Sequence, residues 1–344
     1  MLLFRALPTT SCVALLGCLV SLLACESQRS AEHTQPNAPA RSADDVPQSL
    51  PVIARPESSA VAERPAADAG ATEPGPAPEA PADMALVPAG PFTMGADSGG
   101  EQDEHPAHVV TLDAFYLDLT EVTQEAYLAC VDAKACEPPK LAYLESFGGA
   151  FRGPRRPVVG VNQANGAAFC AHLGKRLPRE AEFEKAVRGD TRRRYPWGDQ
   201  PPTAERAVFG GDVTADVGTH PEGRGPYGHH DLAGNVWEWM SDAYDPYAYR
   251  RAGAARGEVG TCEQIVDFQN ELRRTGQRGY TGTNPIPTTC EAAIRGGAYN
   301  MGAEALRASN RVHHPGNFRL QMTGFRCAKD VTRSGVTGNS GAPP

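Results

Sequence analysis

The chain has no run of Lys and Arg interleaved with aromatics, and its formal net charge is -8. Both features exclude nucleic acid as a principal partner. It has no Gly-x-Ser-x-Gly elbow, so an esterase-type nucleophile is missing. It has no glycine-rich loop of phosphate-binding spacing ahead of a helix. Gly95 to Gly100 is glycine-rich, but its acidic neighbours are expected to repel phosphate. Nine histidines are present, yet none sits in a zinc-hydrolase pattern. Pro106 breaks any helix that would align His105 with His108. His229-His230 and His313-His314 are adjacent pairs, whose rings diverge in a strand. No internal repeat is visible. The apolar run Val13 to Leu23 is too short to span a bilayer.

That short run is informative in another way. With Arg5 ahead of it, residues 1–24 read as a secretory signal. The run ends Leu22-Leu23-Ala24-Cys25, which resembles the bacterial lipobox, and so predicts lipidation at Cys25 and a membrane partner through the lipid anchor. Glu26, rather than Asp, favours the outer over the inner membrane of the cell envelope. Removing Cys12 and Cys18 with the signal and assigning Cys25 to lipid leaves six of nine cysteines in an oxidising compartment. Six cysteines allow about fifteen pairings. Residues 25–83 are mostly Ala, Pro, Glu, Ser and Thr and bury too little to order themselves, so they read as a disordered tether. Extended, it would reach roughly 180 Å at about 3.1 Å per residue. Residues 331–344 read as a disordered tail.

The rest, roughly 250 residues, suffices for one folded unit with its own core. Met84 to Gly90 predicts a strand and turn, and Val109 to Leu119 alternates as a half-buried strand. A helix is expected over Thr123 to Asp132, capped by Thr123, with Tyr127, Leu128 and Val131 on one face. Asn162 caps a second helix that runs to Leu173 and stops at Gly174. A third follows Pro178, with Phe183 and Val187 at i, i+4. Beyond it strong periodicity fades and Gly, Pro and Asn recur every few residues.

Eight segments occur in a definite order: Phe92-Thr93-Met94-Gly95, Glu104-His105-Pro106, Glu121-Val122-Thr123, Arg176 to Glu184, Tyr195-Pro196-Trp197-Gly198, Gly234-Asn235-Val236-Trp237-Glu238-Trp239, Arg295-Gly296-Gly297 and Gly324-Phe325-Arg326-Cys327. In this order the chain resembles the formylglycine-generating enzyme, or sulfatase-modifying factor, family. The resemblance covers 84–330. It implies an α+β fold, a single loop-rich sulfatase-modifying-factor domain that is a variant of the C-type-lectin-like fold, here with an insertion over about 241–292 that carries Cys262 and Cys290. Family members that oxidise sulfatases carry Arg-Gly-Gly-Ser-Trp-x-Cys-x-x-x-x-Cys, whose cysteines hold copper. Here Ala298, Met301 and Leu306 take the places of the serine and the two cysteines. Cu(I) prefers thiolates, and neither a thioether nor a hydrocarbon replaces a thiolate pair. The resemblance therefore implies neither bound copper nor catalytic residues at these degenerate positions. No iron-binding helical domain precedes the fold, so sulfoxide-synthase chemistry is not expected either.

Calcium is expected instead. The family's calcium loop maps onto Asp231, Gly234, Val236 and Glu238, a turning backbone with hard oxygen donors. A second family calcium site is expected to be absent, because Val208 falls near its asparagine. The resemblance further implies a Cys170–Cys327 disulfide. It leaves Cys130, Cys136, Cys262 and Cys290 unassigned, although the first two are close enough to staple a helix end and the last two would close the insertion. The resulting expectation is a lipid-anchored envelope module that binds a peptide, protein or glycan without oxidase chemistry, through a pocket formed by Tyr299, Arg311 and His313. The alternative is a formylglycine-generating-type oxidoreductase, or another enzyme with an atypical active site, for which an oxidase would have to recruit Cys290 or a more distant thiol.

Overall fold

In the computed structural model, residues 80–140, 149–276 and 289–331 are described. The signal segment, Cys25, nearly all of the tether and the tail lie outside them. Strand β1 (Met84–Val87) pairs antiparallel with β4 (Phe115–Asp118), which pairs antiparallel with β9 (Ala328–Asp330), joining the two ends of the domain. Strands β2 (Gly90–Met94) and β3 (His108–Leu112) form a two-stranded ribbon. The third sheet runs β7 (Val312–His314), β6 (Ala292–Arg295), β5 (Trp237–Ala243), β8 (Thr323–Gly324), with only the β5–β8 pair parallel.

Side-chain alternation along this last sheet places a core on each face. Trp239 and Ile294 enter one cluster with Tyr127, Phe169 and Phe325, beneath helices α1 (Gln124–Asp132) and α2 (Gln163–His172). Met240 and Ala293 enter the other with Phe92, Val110, Leu117 and Phe183. The Trp239 indole N–H donates to the Val161 carbonyl at 3.1 Å. Helix α3 (Glu180–Arg188) lies wholly within the second region, and all nine of its residues are buried.

Both predicted helix caps form: Thr123 accepts from the Ala126 N–H and Asn162 from the Asn165 N–H, and Gly174 takes φ +65° just past the end of α2. Three expectations need correction. The strand expected over Val109 to Leu119 is two strands, parted at Asp113-Ala114 and assigned to different sheets. Leu128 is 46% exposed, because α1 turns Tyr127 and Cys130 inward rather than Tyr127 and Leu128. Periodicity also does not fade after α3. Helix α4 (Cys262–Arg274) starts on a Thr261/Gln264 capping box and buries Ile265, Phe268 and Leu272, a stripe obscured by its many charged residues.

The stretch expected as an insertion is partly core. Tyr244, Ala248 and Tyr249 join the second cluster, and Tyr247 packs with Phe268 and Leu272. Residues 277–288 of that stretch lie outside the described residues. All six cysteines among the described residues are paired, as Cys130–Cys136, Cys170–Cys327 and Cys262–Cys290. Among the described residues no helix is long and apolar enough to cross a membrane.

The first N–H of α3, that of Glu180, donates to Asp242 at 2.5 Å. Burial, reinforced by repulsion from Glu180, raises Asp242 to about 7 despite that bond. The fold thus prefers the protonated form, and this stabilisation is complete below about pH 4 and disappears as pH climbs to about 7. Asp242→Asn, a mimic of the protonated acid, is expected to match the parent in urea unfolding near pH 4. By pH 8 it should exceed the parent by a few kcal/mol, on the order of 4 at most. A constant difference across that range would refute the assignment.

Candidate functional site

The segment 295–311 is built around buried guanidiniums. Arg295, fully buried, pairs with Glu184 and donates to the Ala308 and Ser309 carbonyls at 2.9 and 3.2 Å. Glu184 also receives Arg188 at 2.7 Å and the Gly95 N–H at 2.7 Å. Arg311, equally buried, grips both oxygens of Glu180 at 3.0 and 2.7 Å, and its cation lies 5.1 and 4.7 Å from the Tyr244 and Tyr249 ring centres. Burial works to raise the Glu180 carboxyl, but Arg311 and Arg295 outweigh it and hold it below its usual value. These carboxylates come from one face of α3, which is why a helix with five charged residues is buried.

This packing overturns the expected pocket. Arg311 is enclosed and fully paired. His313 stacks on Tyr244 at 4.1 Å and its Nδ1 lies 2.6 Å from Glu291. Tyr299 lies in the other cluster, edge-on to Phe151 at 5.3 Å. The three therefore do not line a common cavity: Arg311 and His313 both face Tyr244, whereas the chain reverses at Gly296 and Gly297, both at positive φ, and carries Tyr299 to the opposite core.

The degenerate positions are likewise filled. Ala298 is fully buried, Met301 is half-buried against the first cluster, and Leu306 is 1% exposed among Tyr195, Ala207 and Ala233. A Cβ on Gly297 would come within 3.0 Å of the Leu306 side chain, so the two positions close upon each other. No thiol reaches this place, since every cysteine among the described residues is in a disulfide. A thioether and a hydrocarbon do not fit copper.

The loop expected to hold calcium, 231–238, has a different character. Asp231 and Asn235 take left-handed φ of +54° and +59°, and a Cβ on Gly234 would sit 2.4 Å from the Val208 carbonyl, so only glycine fits. Asp231 accepts the Gly218 N–H at 2.6 Å. Both oxygens of Glu238 are held by Arg326 at 2.8–3.0 Å, the pairing with an arginine that the sequence allows for this loop without an ion. Glu121 was missed altogether; its only signal was its place in the Glu121-Val122-Thr123 segment. It is buried with neither carboxylate oxygen hydrogen-bonded. Burial first, then repulsion from Asp231 and Glu238, raises its carboxyl well above the ordinary range, and Arg326 only partly offsets this. Three buried carboxylates thus face one guanidinium. That surplus fits a hard divalent cation. Among the described residues no three His, Cys, Asp or Glu side chains close on one point by themselves, so an ion here would also lean on the Gly234 and Val236 carbonyls.

A separate cleft of about 560 Å³ opens where the Gly95–Gly100 loop meets Glu304 to Ser309. The expectation that this loop repels anions overlooked what faces it: Arg188, Arg192, Arg194 and Arg307, brought there from α3, the turn after it and the 295–311 segment.

Known proteins agree with this architecture. Hercynine oxygenase of Mycolicibacterium thermoresistibile is 32% identical over 71% of this chain and 58% of its own length. The serine/threonine-protein kinase pkn1 of Chlamydia caviae is 29% identical over 72% of this chain and 38% of its own. The chain thus spans about two-fifths to three-fifths of these relatives. The solved structure of PvdO from Pseudomonas aeruginosa superimposes with a TM-score of 0.52 at 23% identity, covering 76% of this chain and all of that one, and so shares the fold. The architecture is α+β, a single loop-rich domain. The model of the sulfatase-modifying factor enzyme 1-like domain matches residues 70–331, and the chain belongs to that family.

Proposed function

We propose that the chain is a lipid-anchored envelope module whose sulfatase-modifying-factor domain binds or scaffolds a peptide, protein or glycan and does not oxidise it. The observation that carries this reading is Leu306, sealed among apolar side chains where oxidising family members place a copper thiolate. The relative named as a hercynine oxygenase favours a second reading, an enzyme that works in this fold through other residues. Purified protein supplied with copper and a Cys-x-Pro-x-Arg peptide is expected to consume no oxygen beyond the blank and to leave the cysteine unchanged by mass. Aldehyde formation would establish the oxidase alternative.

The anchor rests on the lipobox-like sequence before Cys25. In a bacterial host, Cys25→Ser is expected to move the protein from the membrane fraction to the soluble one and to abolish labelled fatty-acid incorporation. Unchanged membrane fractionation of Cys25→Ser, or a parent protein that incorporates no fatty acid, would exclude the anchor.

Calcium is proposed as a structural ion beside Asp231, Glu238 and Glu121. The raised Glu121 carboxyl favours the fold when protonated, so in calcium-free protein stability declines as pH rises from about 4.5 through its elevated value. Calcium needs the carboxylate, so its stabilisation should grow over the same window. At pH 8, saturating calcium is expected to raise Tm by several degrees over chelated protein, on the order of 2 kcal/mol or more. Glu121→Gln should remove most of that gain. Identical melting with calcium and with chelator would exclude the ion.

A further inference from the structure

The cleft beside the Gly95–Gly100 loop has no part in the reading above. Its inner wall is closely hydrogen-bonded. The loop is tied down at its start, where the Gly95 N–H donates to buried Glu184, and at its end, where Gly100 is packed so tightly on the Glu104–Arg307 pair that a Cβ would lie 2.4 Å from a Glu104 oxygen. Arg188 and Arg307 use their donors within this wall. Arg188 binds Glu184 and the Gly95 and Arg193 carbonyls, and Arg307 grips both oxygens of Glu104 at 2.5 and 2.8 Å. They shape the floor and lend it positive charge that buried carboxylates balance.

The outer wall is different. Arg192 meets Asp97 through a single Nη2 contact at 2.9 Å, with the two side chains 62% and 59% exposed. Arg194 meets Glu304 through Nη2 alone at 3.0 and 3.2 Å, with exposures of 50% and 77%. Exposed pairs of this kind contribute only about 0–1 kcal/mol each. Glu304 also lies 3.2 Å from the Arg307 Nε, so two arginines share it. Asp97 and Glu304 are nonetheless exposed, and a ligand anion can take their places on the two guanidinium forks that border the cleft. The guanidinium of Arg194 is further steadied 5.6 Å over the Tyr195 ring, itself stacked on Trp197. Planar forks of this type recognise carboxylate and phosphate by paired hydrogen bonds. A cleft of about 560 Å³ falls in the size range of small-molecule sites.

We infer that this cleft binds a small organic polyanion bearing carboxylate or phosphate groups, with Arg192 and Arg194 exchanging Asp97 and Glu304 for the ligand. The inference stands apart from the oxidase question, because its test uses neither copper nor a thiol peptide. Full-length protein would be titrated calorimetrically at fixed ionic strength with citrate and, separately, with inorganic pyrophosphate. Saturable binding of either supports the site, and the stronger probe identifies the group. The Arg192→Ala/Arg194→Ala variant, altered only at exposed side chains, is expected to keep its Tm and to lose about tenfold or more in affinity. Glu304→Gln, which removes the competing carboxylate, should bind several-fold more tightly. Arg256→Ala, which breaks an equally exposed pair with Glu258 elsewhere, should leave binding unchanged. Three outcomes would overturn the inference: binding of neither probe, an equal loss in Arg256→Ala, or weaker binding in Glu304→Gln, which would mean that Glu304 does not compete with the anion.

Discussion

The structure depends on the pairing of buried arginines with the carboxylates of one short helix and one strand. Arg295, Arg311 and Arg326 are fully enclosed, and each has a carboxylate partner that is also enclosed: Glu184, Glu180 and Glu238. Bringing a guanidinium out of water costs several kcal/mol before any contact is made. Such a pair adds little net stability over apolar packing, but loss of one member leaves a stranded charge and costs about 3–5 kcal/mol. The consequence is specificity of arrangement. Helix α3, the start of the Gly95 loop and the 295–311 segment have only one mutual placement in which every one of these charges is answered.

That constraint explains how the domain keeps its family's frame with apolar side chains packed at Ala298 and Leu306. The frame comes from Arg295 and Arg311 at either end of the segment, and neither needs the residues between them to be thiols. Between them, Leu306 and Ala298 obey ordinary packing and fill their space. The fold therefore does not depend on thiols at these positions, and a polar surface lies beside them, where exposed arginines border the glycine loop.

The surroundings of Arg326 show the same logic with opposite sign. Around Arg326 the carboxylates outnumber the cation, and Glu121 is left buried without a hydrogen bond. Buried polar groups are ordinarily satisfied, and an isolated carboxylate in low dielectric either takes a proton or takes a cation. The surplus is a property of the three-dimensional gathering of Glu121, Asp231 and Glu238, which are spread over more than a hundred positions of chain.

The sequence by itself determined whatever depends on near neighbours or on ordered short patterns. The caps at Thr123 and Asn162 and the glycine stop at Gly174 were legible because a cap is a bond within three or four residues. The family frame and its Cys170–Cys327 bridge were legible because their segments keep their order. The absent thiols at Met301 and Leu306 could be read directly. Only the tertiary structure decided where charges meet. Glu180 reaches Arg311 across 131 positions and Arg307 reaches Glu104 across 203, so no local pattern announced that Arg311 would be enclosed rather than line a pocket. The same distance concealed Glu121 as a candidate ligand and the arginine wall opposite the Gly95–Gly100 loop. Burial and electrostatics are set by all the elements that converge on a point, and a linear chain does not display that convergence.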